Sequence, residues 1–202
     1  MIAVIDYDAG NIKSVEHAFR YIGEDVTVTS DPSVIRAADH VVLPGVGSFG
    51  DAMEKLHRYE LTETIRETAA SGVPFLGICL GEQLLFESSE ESPGVPGLGI
   101  LKGKVLRFPD QKGFKIPQIG WNSLQLTHGG KLFRNIADGA YVYFVHSFYV
   151  HAEDREIVKA VCSYTADADA AVECGNITAC QFHPEKSGDV GLSILRNFVA
   201  MQ

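Results

Sequence analysis

Three segments of this sequence carry side chains whose types and spacing suit covalent chemistry at a carbonyl carbon. Gly77-Ile78-Cys79-Leu80-Gly81 has the form G-x-C-x-G between an apolar run and a helical pattern. A strand-to-helix turn flanked by glycines lifts its central side chain clear of the backbone, which is the nucleophile-elbow arrangement with Cys in place of Ser. Such a turn sets the sulfur at a helix start, where negative charge is favoured, and leaves the Leu80 N–H ready to receive a developing oxyanion. His183-Pro184-Glu185 supplies the partners. Read as an extended segment, it projects His183 and Glu185 to one side, with Pro184 fixing the backbone between them. Glu185 would hold one ring nitrogen while the other faces Cys79, giving nucleophile, base and orienter. Pro44-Gly45-Val46-Gly47-Ser48-Phe49 lacks the Lys and the full spacing of a phosphate-binding loop. It reads better as a glycine-hinged strand end, whose Val46 N–H pairs with Leu80 N–H as an oxyanion hole and whose Val46 peptide is free to flip.

The remaining residues of these types carry weaker signals. Cys162, Cys174 and Cys180 lie in no C-x-x-C spacing and read as buried small hydrophobes. Six other histidines, among them His128 and His151, have no elbow and no neighbouring carboxylate on a rigid turn. No second His or Cys stands at ligand spacing from His183, so no metal is expected. No cofactor is expected either.

The elements that must position these residues follow from periodicity. Residues 2–6, 25–29, 41–43 and 73–78 read as buried strands, with helices after Asn11, at Asp31-Pro32, over about 49–71 and from Glu82. This alternation predicts a three-layer α/β/α fold on a mostly parallel, flavodoxin-like sheet. Active sites in such sheets lie at the carboxyl ends of strands, so the Gly45 turn and Cys79 belong at one edge. From about 100 to 181 the pattern changes to short β-like segments at 105–108, 141–145, 157–164 and 170–173, an additional antiparallel portion. Ser187 is expected to cap a last helix with Leu192, Leu195, Phe198 and Val199 facing inward.

The chain has 202 residues, 46% hydrophobic and 21% charged, which suits one domain able to bury its own core. A net charge of −9 without any basic run argues against nucleic-acid or anionic-membrane partners. No apolar run is long enough to span a membrane, and residues 1–6 do not resemble a signal peptide. The expectation is a cytoplasmic protein.

Together these motifs resemble the class I glutamine amidotransferases, glutaminases with a Cys-His-Glu triad. Pro44-Gly45-Val46-Gly47-Ser48-Phe49-Gly50, Ile119-Gly120-Trp121-Asn122, Tyr143-Phe144-Val145-His146-Ser147-Phe148-Tyr149 and Gln181-Phe182-His183-Pro184-Glu185-Lys186-Ser187 are similar to the glutaminase subunits of imidazole glycerol phosphate synthases. The resemblance covers residues 2–198 and implies a single domain over 1–202. It implies that Cys79 attacks the glutamine side-chain amide, that His183 passes the thiol proton to departing ammonia, and that water releases glutamate from the thioester. It assigns glutamine binding to Gly47, Gln83, Glu91, His146, Ser147 and Phe148. The ammonia would cross to a (β/α)8-barrel cyclase subunit making imidazole glycerol phosphate and AICAR for histidine biosynthesis. Asn11, Trp121, Asn122, Tyr143 and Lys186 would meet that barrel.

Two positions depart from the family's pattern. Glu82 replaces a common Met, placing an acid that suits the helix start but crowds the nucleophile. Asp8 replaces a common Gly in the docking turn. Competing readings are the glutaminase of another amidotransferase (anthranilate, aminodeoxychorismate, pyridoxal phosphate or guanylate synthesis), a cysteine peptidase, or an inactive regulatory subunit. The Gly120-Trp121-Asn122 and 143–149 segments argue against the first, and the intact triad against the last.

Overall fold

The computed structural model describes residues 1–127 and 129–202; His128, set aside above, lies outside the described residues. The first half alternates as expected: β1 (Ile2–Ile5), α1 (Ile12–Tyr21), β2 (Val26–Thr29), α2 (Pro32–Arg36), β3 (His40–Gly45), α3 (Phe49–Arg58), α4 (Leu61–Ala70), β4 (Phe75–Cys79) and α5 (Leu80–Leu84). The second half is mainly strands: β5 (Ser88–Ser89), β6 (Gly103–Arg107), β7 (Gln118–Ser123), β8 (Gln125–Leu126), β9 (Tyr141–His146), β10 (Phe148–Ala152), β11 (Val158–Ser163), β12 (Asp167–Cys174) and β13 (Ile177–Cys180), before α6 (Gly188–Val199).

The sheet runs β2-β1-β3-β4-β13-β12-β10-β6-β5. Its first five strands are mutually parallel, whereas β12, β10 and β6 pair antiparallel and β11 and β8 branch from β12. A separate antiparallel ribbon joins β7 and β9. Alternation along a parallel strand feeds two cores. On β1, Ala3 and Ile5 join Phe49, Leu56 and Ile65 on one face, while Ile2 and Val4 join Phe19, Phe144, Ile194 and Phe198 on the other. Burial on both faces is why these strands read as unbroken apolar runs.

Several local details differ from expectation. The helical pattern over 49–71 is two helices, because Glu60 adopts φ +56° and the left-handed residue breaks the ladder between Arg58 and Leu61. Asp31 does cap α2, accepting from Ser33 N–H at 2.8 Å, with Pro32 at the first helical position. Asn11 and Ser187 stand at helix starts without capping them. Asn11 Oδ1 accepts the Ser14 hydroxyl instead. Ser187 Oγ donates to the His183 carbonyl at 2.6 Å and accepts Tyr143 N–H at 2.9 Å. Among the inward-facing residues of α6, Ile194 is fully buried while Leu192 and Val199 are only partly so. All four cysteines are free, and Cys174 is exposed rather than buried.

The strand-to-helix turn at Cys79 rests on close backbone approach. A Cβ on Gly81 would lie 1.9 Å from the Leu43 carbonyl oxygen of β3, and one on Gly77 would lie 2.9 Å from the Gly81 carbonyl oxygen. The helix can fold back onto the strand ends only if both positions lack side chains. Gly81→Ala is therefore expected to destabilise the fold by roughly 3 kcal/mol, at the upper end for overpacking. Urea unfolding monitored by circular dichroism checks this; an Ala variant of unchanged midpoint would contradict it.

Candidate active site

Register brings the chemistry-bearing segments to one edge. Gly45 at the end of β3 pairs with Cys79 at the end of β4, and Cys180 on β13 pairs with Ile78. Val46-Gly47, Cys79-Leu80 and Gln181–His183 thus leave adjacent parallel strands at their carboxyl ends. Cys79 itself has φ +56° and ψ −111°, a strained conformation for a residue with a side chain. α5 starts at Leu80, two residues before the expected Glu82, so Cys79 is its N-cap residue. Gly45 is not a free hinge: it is paired in the sheet, and a Cβ there would come within 2.7 Å of the Tyr7 hydroxyl. Gly47, with φ +100°, has the freedom that favours glycine.

His183 and Glu185 meet by a route other than the extended segment expected. Pro184–Lys186 forms a 3-10 turn with His183 at its start, and the turn bends Glu185 back so that Oε1 lies 2.8 Å from His183 Nδ1. The backbone at His183 is anchored as well, since its main-chain N–H donates to the Tyr143 carbonyl at 2.9 Å. Both side chains are almost fully buried, at 2% and 1% exposure, and His183 Nε2 has no protein hydrogen-bond partner. Burial pushes the His183 pKa down, but the neighbouring Cys79 sulfur and the Glu185 carboxylate outweigh it and raise it from 6.5 to about 10. An imidazole so placed holds a proton taken from a thiol firmly, with its orientation fixed by the carboxylate.

Cys79 and His183 open into one cleft of about 360 Å³, lined also by Val46, Gly47, Leu80, Gln83, Glu91, His146, Ser147 and Phe148. The cleft thus gathers every residue expected to bind substrate or oxyanion. Pro117 and Val145 join them, and sequence reasoning did not single these out. Several lining groups are already engaged. Glu91 Oε2 accepts Phe49 N–H at 2.8 Å at the start of α3. Gln83 Nε2 donates to the Phe148 carbonyl at 3.1 Å and to Gln181 Oε1 at 2.8 Å. Burial, with the nearby His183 adding to it, depresses the His146 pKa to about 4 against a raising contact from the Phe148 carbonyl. His146 is therefore neutral, and its single N–H serves one of two acceptors: the Phe148 carbonyl 2.9 Å from Nδ1 or Gln118 Oε1 3.0 Å from Nε2.

Glu82 behaves differently from the dipole-stabilised anion expected. It is wholly buried, neither carboxyl oxygen has a hydrogen-bond partner, and burial, reinforced by Asp169 and Cys79, raises its pKa well above the usual range. The group is a neutral acid beneath the nucleophile. Asp8 adopts φ +58° and is pinned on α3: Lys55 Nζ donates to its carbonyl at 2.6 Å and the Tyr59 hydroxyl to its carboxylate.

The residues assigned to a partner surface divide. On the β7–β9 ribbon Trp121 pairs with Tyr143, their rings edge to face at 6.2 Å, with Lys186 Nζ 5.9 Å above the Tyr143 ring. Ile119, Trp121 and Tyr141 are 63%, 55% and 58% exposed, large apolar side chains gathered on one two-stranded ribbon. Asn122 does not join them: its amide donates to the Ser163 carbonyl at 3.0 Å. Asn11 lies half-buried at the start of α1, beside Gly10 and Lys13 in a separate surface hollow.

Residues 3–201 match the family described as glutamine amidotransferase class-I. The chain is 51% identical over 199 residues to the imidazole glycerol phosphate synthase subunit HisH of Methanothermobacter thermautotrophicus, covering 98% of each. It is 50% identical over 202 residues to the subunit of that name from Thermosynechococcus vestitus, covering 99% of this chain and 96% of the relative. A crystal structure of a glutamine amidotransferase superposes with a TM-score of 0.76 at 17% identity, covering 99% of this chain and 100% of that one, a likeness of fold.

The neutral burial of Glu82 has a pH signature. Below its ordinary value of 4.5 the carboxyl is protonated in folded and unfolded chains alike. Above that pH the unfolded chain ionises while the folded one keeps its proton, so Glu82 costs stability as pH rises. Glu82→Met is expected to raise stability at neutral pH by about 2 kcal/mol or more, with the gain shrinking toward pH 4.5. Urea unfolding at acid and neutral pH measures it; a gain independent of pH would contradict the assignment.

Proposed function

This chain belongs to the class-I glutamine amidotransferase family, and from that membership we propose that it hydrolyses glutamine through Cys79, His183 and Glu185 and passes the ammonia to a synthase partner in histidine biosynthesis. The observation that carries this reading is the 2.8 Å His183–Glu185 contact, with His183 Nε2 left free in the cleft that holds the Cys79 sulfur.

The chemistry follows from the placement. The Cys79 sulfur attacks the side-chain carbonyl carbon of glutamine as His183 takes the thiol proton. Negative charge on the carbonyl oxygen is received by Leu80 N–H and by Val46 N–H at the cleft rim. The tetrahedral adduct collapses, His183 gives its proton to the leaving nitrogen, and neutral ammonia departs. Water then attacks the thioester with His183 as base, and glutamate leaves. Glu185 keeps the imidazole oriented through both halves. Gly47 lies against the substrate amide, and Gln83, Glu91, His146, Ser147 and Phe148 shape the pocket around the rest of the glutamine.

Ammonia released to bulk water would be protonated and lost as a nucleophile, so the partner must receive it directly. The proposed partner is a (β/α)8-barrel cyclase, docking on the Ile119–Trp121–Tyr141–Tyr143 strip with Lys186 and Asn11 at its margins. β9 supports this choice, because Tyr143 faces the strip while Val145, two residues on, lines the cleft. The whole of residues 1–202 acts as one class-I domain in this reading. Among the described residues no helix is long and apolar enough to cross a membrane, and the proposed location is the cytoplasm.

Cys79→Ala is expected to lower glutamine-dependent synthesis by at least about a thousandfold while synthesis fed with ammonium salts continues. Loss of both would show that Cys79 serves the fold. The isolated chain is expected to be a weak glutaminase that the barrel subunit with its phosphoribulosyl substrate activates strongly, since Val46 stands half-exposed at the rim beside the left-handed Gly47. Steady-state glutamate release with and without partner and substrate tests this; full turnover by the chain alone would contradict it.

A further inference from the structure

Behind the cleft lies a chain of side-chain amides that the triad does not explain. Gln181 is fully buried on the segment between β13 and His183. Its Nε2 lies 3.7 Å from Cys79 Sγ, and its Oε1 accepts from Gln83 Nε2 at 2.8 Å. The direction of this chain is forced from its far end. The Phe148 carbonyl can only accept, so Gln83 must turn its NH2 toward that oxygen. The same NH2 meets Gln181, which must answer with its oxygen. The NH2 of Gln181 is thereby left facing the sulfur. A backbone carbonyl at the cleft wall thus fixes a donor on the nucleophile through two amides, each buried and neither able to flip without stranding a donor.

We infer that Gln181 is a positioning residue that donates a hydrogen bond to the Cys79 sulfur and selects its thiolate form, with Gln83 as the link that locks its orientation. The inference rests on Cys79 being the nucleophile. A thiolate accepts a hydrogen bond far better than a thiol does, so a fixed donor shifts the balance toward the anion. His183, two residues further along the same segment, also contributes, but its proton is handed to the leaving ammonia during the reaction; the amide stays. The titratable groups packed around the sulfur are His183, Glu82 from α5, Cys180 from β13 and Tyr7 after β1. Glu82, Cys180 and Tyr7 all have their pKa values raised, with burial as the largest cause, so they meet the sulfur as neutral neighbours. Gln181 and His183 are the groups among these that favour its charge.

The test is the pH dependence of Cys79 alkylation by iodoacetamide in the full chain, read by peptide mass spectrometry. Gln181→Leu is expected to move the midpoint up by about one unit, roughly a tenfold loss of thiolate at neutral pH. Gln83→Leu, which frees the Gln181 amide to turn, should move it in the same direction by less. For Gln181→Leu in the complex, kcat should fall with KM for glutamine little changed. A folded Gln181→Leu chain with an unchanged midpoint overturns the inference. Should that variant fail to fold, the wild-type chain still decides: the Gln181 side-chain amide resonance should follow the Cys79 titration and shift on alkylation, and an indifferent resonance overturns it. Failure of the underlying reading is separately visible, as persistent glutaminase activity in Cys79→Ala.

Discussion

The backbone of α5 passes so close to the ends of β3 and β4 that no side chain fits at Gly77 or Gly81, and the placement of the site follows from that contact. Held between those glycines, Cys79 takes a left-handed φ that a free chain would avoid, where it borders both the cleft and the core layer beneath it. The same contact drives Glu82 into the interior, where burial raises its pKa well above the usual range. Activity and cost arise from one piece of geometry.

Around that turn, buried ionisable groups are accommodated in three ways. His183 and Glu185 are paired with each other, Nδ1 to Oε1 at 2.8 Å. His146 is kept neutral by burial, its ring set between the Phe148 carbonyl and Gln118 Oε1. Asp169 is buried yet ionic, because Arg155 grips both its oxygens at 2.6 Å. Glu82 alone among these has neither charge partner nor hydrogen bond among the described residues. Among the polar groups, Gln83 and Gln181 link the Phe148 carbonyl at the cleft wall to the Cys79 sulfur.

The parallel half of the fold was readable because strands buried on both faces leave unbroken apolar runs, and Gly77-Ile78-Cys79-Leu80-Gly81 was readable because tight turns demand glycine. Other features left no such mark. Nothing in Tyr59-Glu60 announces that a non-glycine residue turns left-handed and splits one helix into two. The strand Ile177–Cys180 is too short and too mixed in polarity to separate from a loop. His183 and Glu185 meet through a 3-10 turn, which Pro184 permits as readily as extended chain. Gln181 was visible only as part of a motif, since its contacts depend on the parallel register of β13 against β4. Asn122 lies beside Trp121 in sequence but points to Ser163, a contact set by strand packing.

The central claim is that Cys79 carries the glutamyl group during turnover. The most direct measurement is acid quenching of the chain while it hydrolyses glutamine beside its activated partner, followed by peptide mass spectrometry. A glutamyl thioester on Cys79, discharged by hydroxylamine and missing from Cys79→Ala, is the expected result. Turnover with no adduct at Cys79, or with the adduct on another residue, would contradict the account.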